Sequence, residues 1–274
     1  MIPIVMSHLT ILKKNEVYLQ IESEPHVFYE LSDQFTFELP GAKFMPQYRN
    51  RYWDGKIRLF NINNGQIYVG LLDKIKKFCD DHGYSYSFVD NEYYGTPFEV
   101  NEHISYEGVK DYITSISKYA PREYQIEGVF DALRHNRKLL ISPTASGKSL
   151  MIYSIVRYYV ERGENTLIVV PTTSLVEQMY KDFADYGWNV ENHCHRVYAG
   201  KDKNTDYDVT ITTWQSIYKL DRKYFNNFNV VIGDEAHLFK SKSLVSIMTK
   251  MLDCKYRYGF TGTLDGTQTH KWVL

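Results

Sequence analysis

Two short stretches of the chain hold residues whose types and spacing suit phosphate chemistry. In "LLISPTASGKSL", residues 139 to 150, an apolar run leads into a small-residue loop and then Gly147-Lys148-Ser149. In "NVVIGDEAHLF" a second apolar run ends directly in Asp234, Glu235, Ala236 and His237. A loop between a strand and a helix turns backbone N–H groups inward, and the helix start adds partial positive charge, so the first stretch suits a triphosphate. Thr144, Ala145, Ser146 and Gly147 would line the phosphates, Lys148 would reach the outer ones, and Ser149 would ligate Mg²⁺. Two adjacent acids closing an apolar run are costly unless they face a cation or water. Asp234 would then hold the Mg²⁺, Glu235 would orient and deprotonate an attacking water, and His237 would sense the γ-phosphate. ATP with Mg²⁺ is the expected ligand.

Each stretch also has a plainer interpretation. Gly-Lys-Ser turns up by chance in ordinary composition, and carboxylates after a strand can serve as helix caps. The loop departs from G-x-x-x-x-G-K-[ST] at Ser142, which stands where the first glycine belongs. Ala145 is a second departure, replacing the glycine of the usual T-G-S-G-K-T, and would cost about 1–2 kcal/mol if that position needs positive φ. Each stretch follows an apolar run, and their joint occurrence favours the nucleotide site.

The elements that must carry these residues follow from periodicity. From Lys138 onward the apolar runs "KLLIS", "TLIVVP", "HRVYAG", "DVTITTW", "NVVIGDE" and "YRYGFTGT" alternate with helical patterns. Unbroken β-branched runs suit strands buried on both faces, and the intervening helices supply the crossovers of a parallel sheet. Such a sheet binds ligands at the carboxyl ends of its strands, where both motifs fall. The fold class is therefore α/β with a mainly parallel sheet over residues 104–274. Residues 1–90 read as a small α+β domain, and 91–103 as a linker of turn residues without a period. In the small domain "LTILKKNEVYLQIE" predicts a hairpin turning at Lys13-Lys14-Asn15, and "PHVFYELSDQF" a helix with Pro25 near its start. "GKIRLFNINNGQIYVGLL" predicts a second hairpin turning at Asn64-Gly65, and "LLDKIKKFCDDHG" a helix stopped by Gly83.

With those motifs in place, residues from about 104 onward resemble the first RecA-like lobe of a superfamily-two helicase. "PREYQIEGV" resembles that family's adenine-reading segment, which implies Gln125 as the base-selective amide with Arg122 nearby. "PTTSLVEQ" and "TTWQS" resemble its strand-contacting motifs, implying nucleic-acid contacts at Thr172, Thr173, Thr213 and Gln215. Thr261, Gly262 and Thr263 take the place of the motif that couples hydrolysis to movement. Small residues often replace the first loop glycine in that superfamily, which makes Ser142 a mild departure.

The front of the chain narrows the resemblance. "FMPQYRNRYWDGKIRLF" and the helix after it resemble the amino-terminal region of UvsW-type phage helicases, which remodel branched DNA and RNA–DNA hybrids. Residues 43–58 hold Lys43, Arg49, Arg51, Lys56 and Arg58 against the single acid Asp54, with Tyr48, Tyr52 and Trp53 interleaved. Basic groups neutralise phosphates and flat rings stack on bases, so Arg49, Arg51, Trp53, Lys56 and Arg58 are candidate DNA contacts. The alternative is that Trp53 is core and the arginines solvate a hairpin.

Bulk composition sets bounds. The chain has 274 residues, 43% hydrophobic and 24% charged, with a formal net charge of −1, so a nucleic acid would be held by a local patch and not by an overall basic field. Three widely spaced cysteines suggest neither a disulfide framework nor a zinc site. No apolar run approaches a membrane span, and the start lacks an export signal, so with the phage resemblance the host cytoplasm is expected.

Superfamily-two helicases place ATP between two RecA-like lobes, and too few residues follow the linker for a second. The chain is therefore expected to be an amino-terminal portion of a longer, ATP-hydrolysing helicase, with the second lobe downstream and little activity alone. Two other classes stay open: a different P-loop enzyme such as a nucleotide kinase, and a DNA-binding module whose nucleotide lobe is vestigial.

Overall fold

A computed structural model of the chain describes residues 7–97, 100–143, 146–198, 202–203, 206–237 and 242–262. The chain forms two compact units, one ending at residue 98 and the other starting at 99.

In the first unit β1 (His8–Lys13) and β2 (Tyr18–Glu22) pair antiparallel as the predicted hairpin. Asn15 shapes its turn, its side-chain oxygen accepting from Val17 N at 2.8 Å and Tyr18 N at 2.9 Å. Helix α1 (Pro25–Gln34) starts on Pro25, whose missing N–H is harmless there, and buries Val27 and Leu31. After it come β3 (Thr36–Glu38), the short α2 (Pro46–Arg49), β4 (Lys56–Arg58) and β5 (Gln66–Tyr68). Helix α3 (Leu72–His82) buries Leu72, Ile75, Phe78 and Cys79 and stops at Gly83, which takes φ 69°. Strand β6 (Ser85–Val89) then lies parallel to β1, giving the sheet order β5-β2-β1-β6.

The second predicted hairpin does not form as such. β4 pairs with β3 in a separate two-stranded sheet, whereas β5 joins β2, and only the bridge Asn61–Gln66 links the two arms. Leu59 and Phe60 are consecutive and both buried, so the two-residue alternation breaks there and the chain leaves one sheet for the other. The turn itself holds: Gly65 has φ 66°, and a Cβ on it would meet Ile21 O at 2.5 Å.

The second unit opens with α4 (Tyr106–Ile116), capped by Ser105 accepting from Gly108 N, and α5 (Glu123–Arg134). Then follow β7 (Arg137–Ile141), α6 (Lys148–Val160), β8 (Thr166–Val170), α7 (Thr173–Asp185), α8 (Val190–His193) and β9 (Cys194–Val197). The remainder is β10 (Val209–Thr213), α9 (Trp214–Ile217), α10 (Arg222–Phe225), β11 (Val230–Asp234), α11 (Lys242–Lys250) and β12 (Tyr256–Thr261). All six predicted strands are present and every pairing is parallel, in the order β7-β12-β11-β8-β10-β9.

β8, β10 and β11 are buried at every position, as the β-branched runs lead one to expect. Alternate residues of β8 go to opposite faces. Ile168 and Val170 pack with Met151, Ile155 and Phe183, while Leu167 and Val169 pack with Ile217, Phe225 and Ile247. Helices thus cover both faces of one sheet, leaving the carboxyl ends of its strands to carry the loops that hold the motifs.

Candidate nucleotide site and strand-contacting loops

α6 begins on Lys148 immediately after Gly147, whose φ of 75° suits glycine. A Cβ at Gly147 would stand 2.4 Å from Gln125 Nε2, so any larger residue there must displace that amide. β11 ends in Asp234, and Glu235 turns the chain with a left-handed φ of 52°, its N–H donating to Asp234 Oδ1 at 2.9 Å. A non-glycine residue in that conformation carries about 1–3 kcal/mol of strain, which concentrates at functional turns.

The two motifs meet. Lys148 Nζ donates to Glu235 Oε1 at 2.8 Å and lies 3.9 Å from Asp234 Oδ1. The side chains of Lys148 and Asp234 are only 13% and 11% exposed. Burial pushes the Asp234 carboxyl up, with the Lys148 charge and the Glu235 N–H pulling it down. β12 lies between β7 and β11 in the sheet, so its last residue, Thr261, stands between the two motifs. His237 Nδ1 is 3.0 Å from Thr261 Oγ1 and 3.3 Å from Glu235 Oε2. Thr261 O also accepts from Ser142 N, which ties the phosphate loop to the end of β12.

Gln125 is buried, and its amide is engaged within the protein. Its Oε1 accepts from Arg122 N at 2.9 Å, while Nε2 donates to Ser146 O at 3.0 Å and Gly147 O at 3.3 Å. The group expected to select adenine therefore also holds the carbonyls of the phosphate loop. Arg122 Nη1 donates to Tyr124 OH, which in turn donates to Ser146 O at 2.6 Å. Ser142 is buried and bonds Ser146 Oγ, and Ser146 Oγ donates to Pro143 O. The residue in place of the first glycine thus supplies a side-chain tie across the loop. Thr144, Ala145 and Thr263 lie outside the described residues, and Gly262 follows β12 directly.

Ser149, in the first turn of α6, has its Oγ 2.9 Å from Tyr186 OH. The Asp182 carboxyl is raised by burial, and a hydrogen bond from Ser149 acts against that rise. The composition of the site fits a magnesium triphosphate. It joins a helix start preceded by a left-handed glycine with one lysine and hard oxygen donors from Ser149, Asp234 and Glu235.

The loops after β8 and β10 lie side by side because those strands pair. Thr172 caps α7, accepting from Leu175 N, and Thr173 starts that helix; both are exposed. Thr213 ends β10, its Oγ1 2.9 Å from Ser216 Oγ, and the exposed Gln215 reaches Pro171 O at 3.5 Å. α7 carries Thr173 at one end and Asp182 toward the other, with Tyr186 as its cap.

In the first unit Lys43, Tyr48, Arg49, Arg51, Tyr52, Trp53 and Asp54 line an open concavity of about 750 Å³. Tyr52 and Phe44 are 86% and 85% exposed, while Trp53 is half-buried with its Nε1 donating to Lys56 O at 2.9 Å. Arg51 has a φ of 59°, and Arg49, Arg51 and Lys56 are all exposed. Arg58 forms a two-pronged pair with Asp54, at 3.2 and 2.5 Å, which holds that carboxyl down at about 2. Sequence reading did not single out Phe44, Tyr124 or Tyr186, since lone aromatics carry no signal until packing shows what they touch.

A six-stranded parallel sheet with a lysine-bearing loop after one strand and paired acids after another defines a P-loop nucleotide-binding lobe of the RecA-like kind. The family described as "Type III restriction enzyme, res subunit" matches residues 118–266, and "DNA helicase UvsW, N-terminal" matches residues 9–90. The crystal structure of the UvsW helicase from bacteriophage T4 superposes with TM-score 0.85 at 31% identity, covering 97% of this chain and 96% of that one. The ATP-dependent DNA helicase uvsW of Enterobacteria phage T4 is 34% identical over 258 residues, 90% of this chain and 50% of the relative. A DNA 3'-5' translocase, XPB2 of Sulfurisphaera tokodaii, is 32% identical over 145 residues, 52% of this chain and 30% of the relative. The chain belongs to the UvsW-type helicase family. It spans half or less of the length of these curated relatives.

Proposed function

We propose that the second unit binds ATP with Mg²⁺ and hydrolyses it to drive movement along DNA. The observation that carries this is the approach of Lys148 to both Asp234 and Glu235 at the carboxyl ends of the sheet. Bound Mg²⁺ supplies charge neutralisation of the phosphates, and Ser149 and Asp234 hold it. Lys148 takes the outer phosphate oxygens, which releases Glu235 from its ion pair to orient water and accept its proton. His237, bonded to Thr261, passes the state of the site to the end of β12. Gln125 couples base recognition to the loop through Ser146 and Gly147.

The strand-contacting role falls to Thr172, Thr173, Thr213 and Gln215, whose loops the pairing of β8 with β10 places together. The first unit offers Arg49, Arg51, Lys56 and the rings of Tyr52 and Trp53 to branched or forked DNA, or to an RNA–DNA hybrid, in the host cytoplasm. Among the described residues no helix is long and apolar enough to cross a membrane. A second RecA-like lobe facing this one would supply arginines to the γ-phosphate, an addition worth about 10³–10⁵ in turnover.

The test compares ATP binding and phosphate release, with and without forked DNA, in the wild-type chain and in Lys148→Ala and Glu235→Gln. Binding lost in the first variant, and binding kept with hydrolysis lost in the second, is the expected pattern. Equal nucleotide affinity in wild type and Lys148→Ala overturns it, and phosphate transfer to an acceptor other than water would mark a kinase instead.

A further inference from the structure

The Ser149 hydroxyl is held from outside the nucleotide motifs, by the far end of α7. Its Oγ lies 2.9 Å from Tyr186 OH. Tyr186 is fixed in turn by its N–H, which donates to Asp182 O at 2.9 Å, and by rings on either side. Its ring centroid is 5.1 Å from that of Tyr153, itself fully buried on α6, and 5.9 Å from that of Tyr119. The phenol is thus pinned on the helix that carries Ser149.

A serine hydroxyl has one proton and two lone pairs. As a cation ligand it uses a lone pair, and it serves best when a fixed hydrogen-bond partner sets its rotamer. Partners of this kind are worth about 10–100-fold in metal affinity. We propose that Tyr186 is a positioning residue for the divalent cation, its phenol fixing the rotamer of the Ser149 hydroxyl without touching the metal. This rests on the nucleotide reading above and adds to it a residue outside every helicase motif in the chain.

The test measures binding of a fluorescent ATP analogue to the full chain while Mg²⁺ is titrated. Tyr186→Phe keeps the ring and its packing and deletes only the hydroxyl. The expected result is a Mg²⁺ midpoint raised about tenfold, with binding in EDTA unchanged, and no further effect of Tyr186→Phe in a Ser149→Ala background. An unchanged or lowered midpoint, or the same shift in the Ser149→Ala background, overturns the proposal. So does an equal loss of binding in EDTA, which would mark a purely structural role. Lys148→Ala in the same assay separates the two levels: undiminished binding there sinks the nucleotide reading itself, whereas lost binding alongside an unresponsive Tyr186→Phe sinks only the role of Tyr186.

Discussion

Lys148 Nζ lies 2.8 Å from Glu235 Oε1 and 3.9 Å from Asp234 Oδ1, so a single cation at the start of α6 serves two carboxylates at the end of β11. Removing it leaves two shielded acids without their counter-charge. Lys148→Ala is expected to cost about 1–2 kcal/mol, several degrees in melting temperature, besides losing nucleotide binding. Adding Glu235→Gln should recover part of that stability, because the uncompensated charge is halved. Thermal melts of the single and double variants check this; a double variant less stable than Lys148→Ala would refute it.

Asp234 gives the fold a pH dependence of defined sign. Burial raises its carboxyl pKa above the unfolded value, so the folded chain binds this proton more tightly than the unfolded chain. Its stabilising contribution is present below the ordinary aspartate value and is lost as pH rises through the raised one. Asp234→Asn should therefore gain on wild type as pH goes from about 4 to 8, by about 2–4 °C for each kcal/mol removed. Melting curves of both proteins across that range test the sign. A gap that narrows with rising pH contradicts it.

Gly147 joins backbone conformation to the Gln125 contact. Gly147→Ala must accept a left-handed φ and push away an amide that would be 2.4 Å from its Cβ. The expected cost is about 2–3 kcal/mol, from the φ penalty and the displaced hydrogen bonds. Gln125→Ala in the same chain should relieve the collision and leave the φ penalty, so part of the stability returns while nucleotide affinity stays low. Denaturant titration with a parallel binding assay distinguishes the two contributions.

The pairing of Arg58 with Asp54 predicts an inverse effect on DNA. Asp54→Asn frees an exposed guanidinium beside Lys56, and should strengthen binding at low salt and steepen the salt dependence by about one phosphate contact. Arg51→Ala with Trp53→Ala should remove any preference for forks over linear duplex. Fluorescence anisotropy at two salt concentrations measures both effects. An unchanged salt slope in Asp54→Asn, or an unchanged fork preference in the double variant, would show that the concavity is not a DNA surface.

Much of the second unit was legible along the chain. The runs that became β8, β10 and β11 are mostly apolar or β-branched, threonines included, because both faces of those strands are covered, and that burial is written into consecutive residues. Gly147, Lys148, Asp234 and Glu235 stand out in the sequence for a related reason: each motif follows directly on such a run, and the sheet brings Lys148 to both acids. The second hairpin of the first unit was misread because Asn64-Gly65 signals a turn without saying which strands it joins.

The amino-acid sequence by itself determined which residues can do phosphate chemistry and the strand end on which each one sits, since those signals span only a few consecutive positions. Tertiary structure alone decided the partners. Threading β12 between β7 and β11 set Thr261 beside His237, packing α5 against α6 put the Gln125 amide on the loop carbonyls, and the end of α7 brought Tyr186 to Ser149. Those contacts join residues far apart in the chain. They are selected by how buried faces fit together, a choice made by the whole core and by no local pattern.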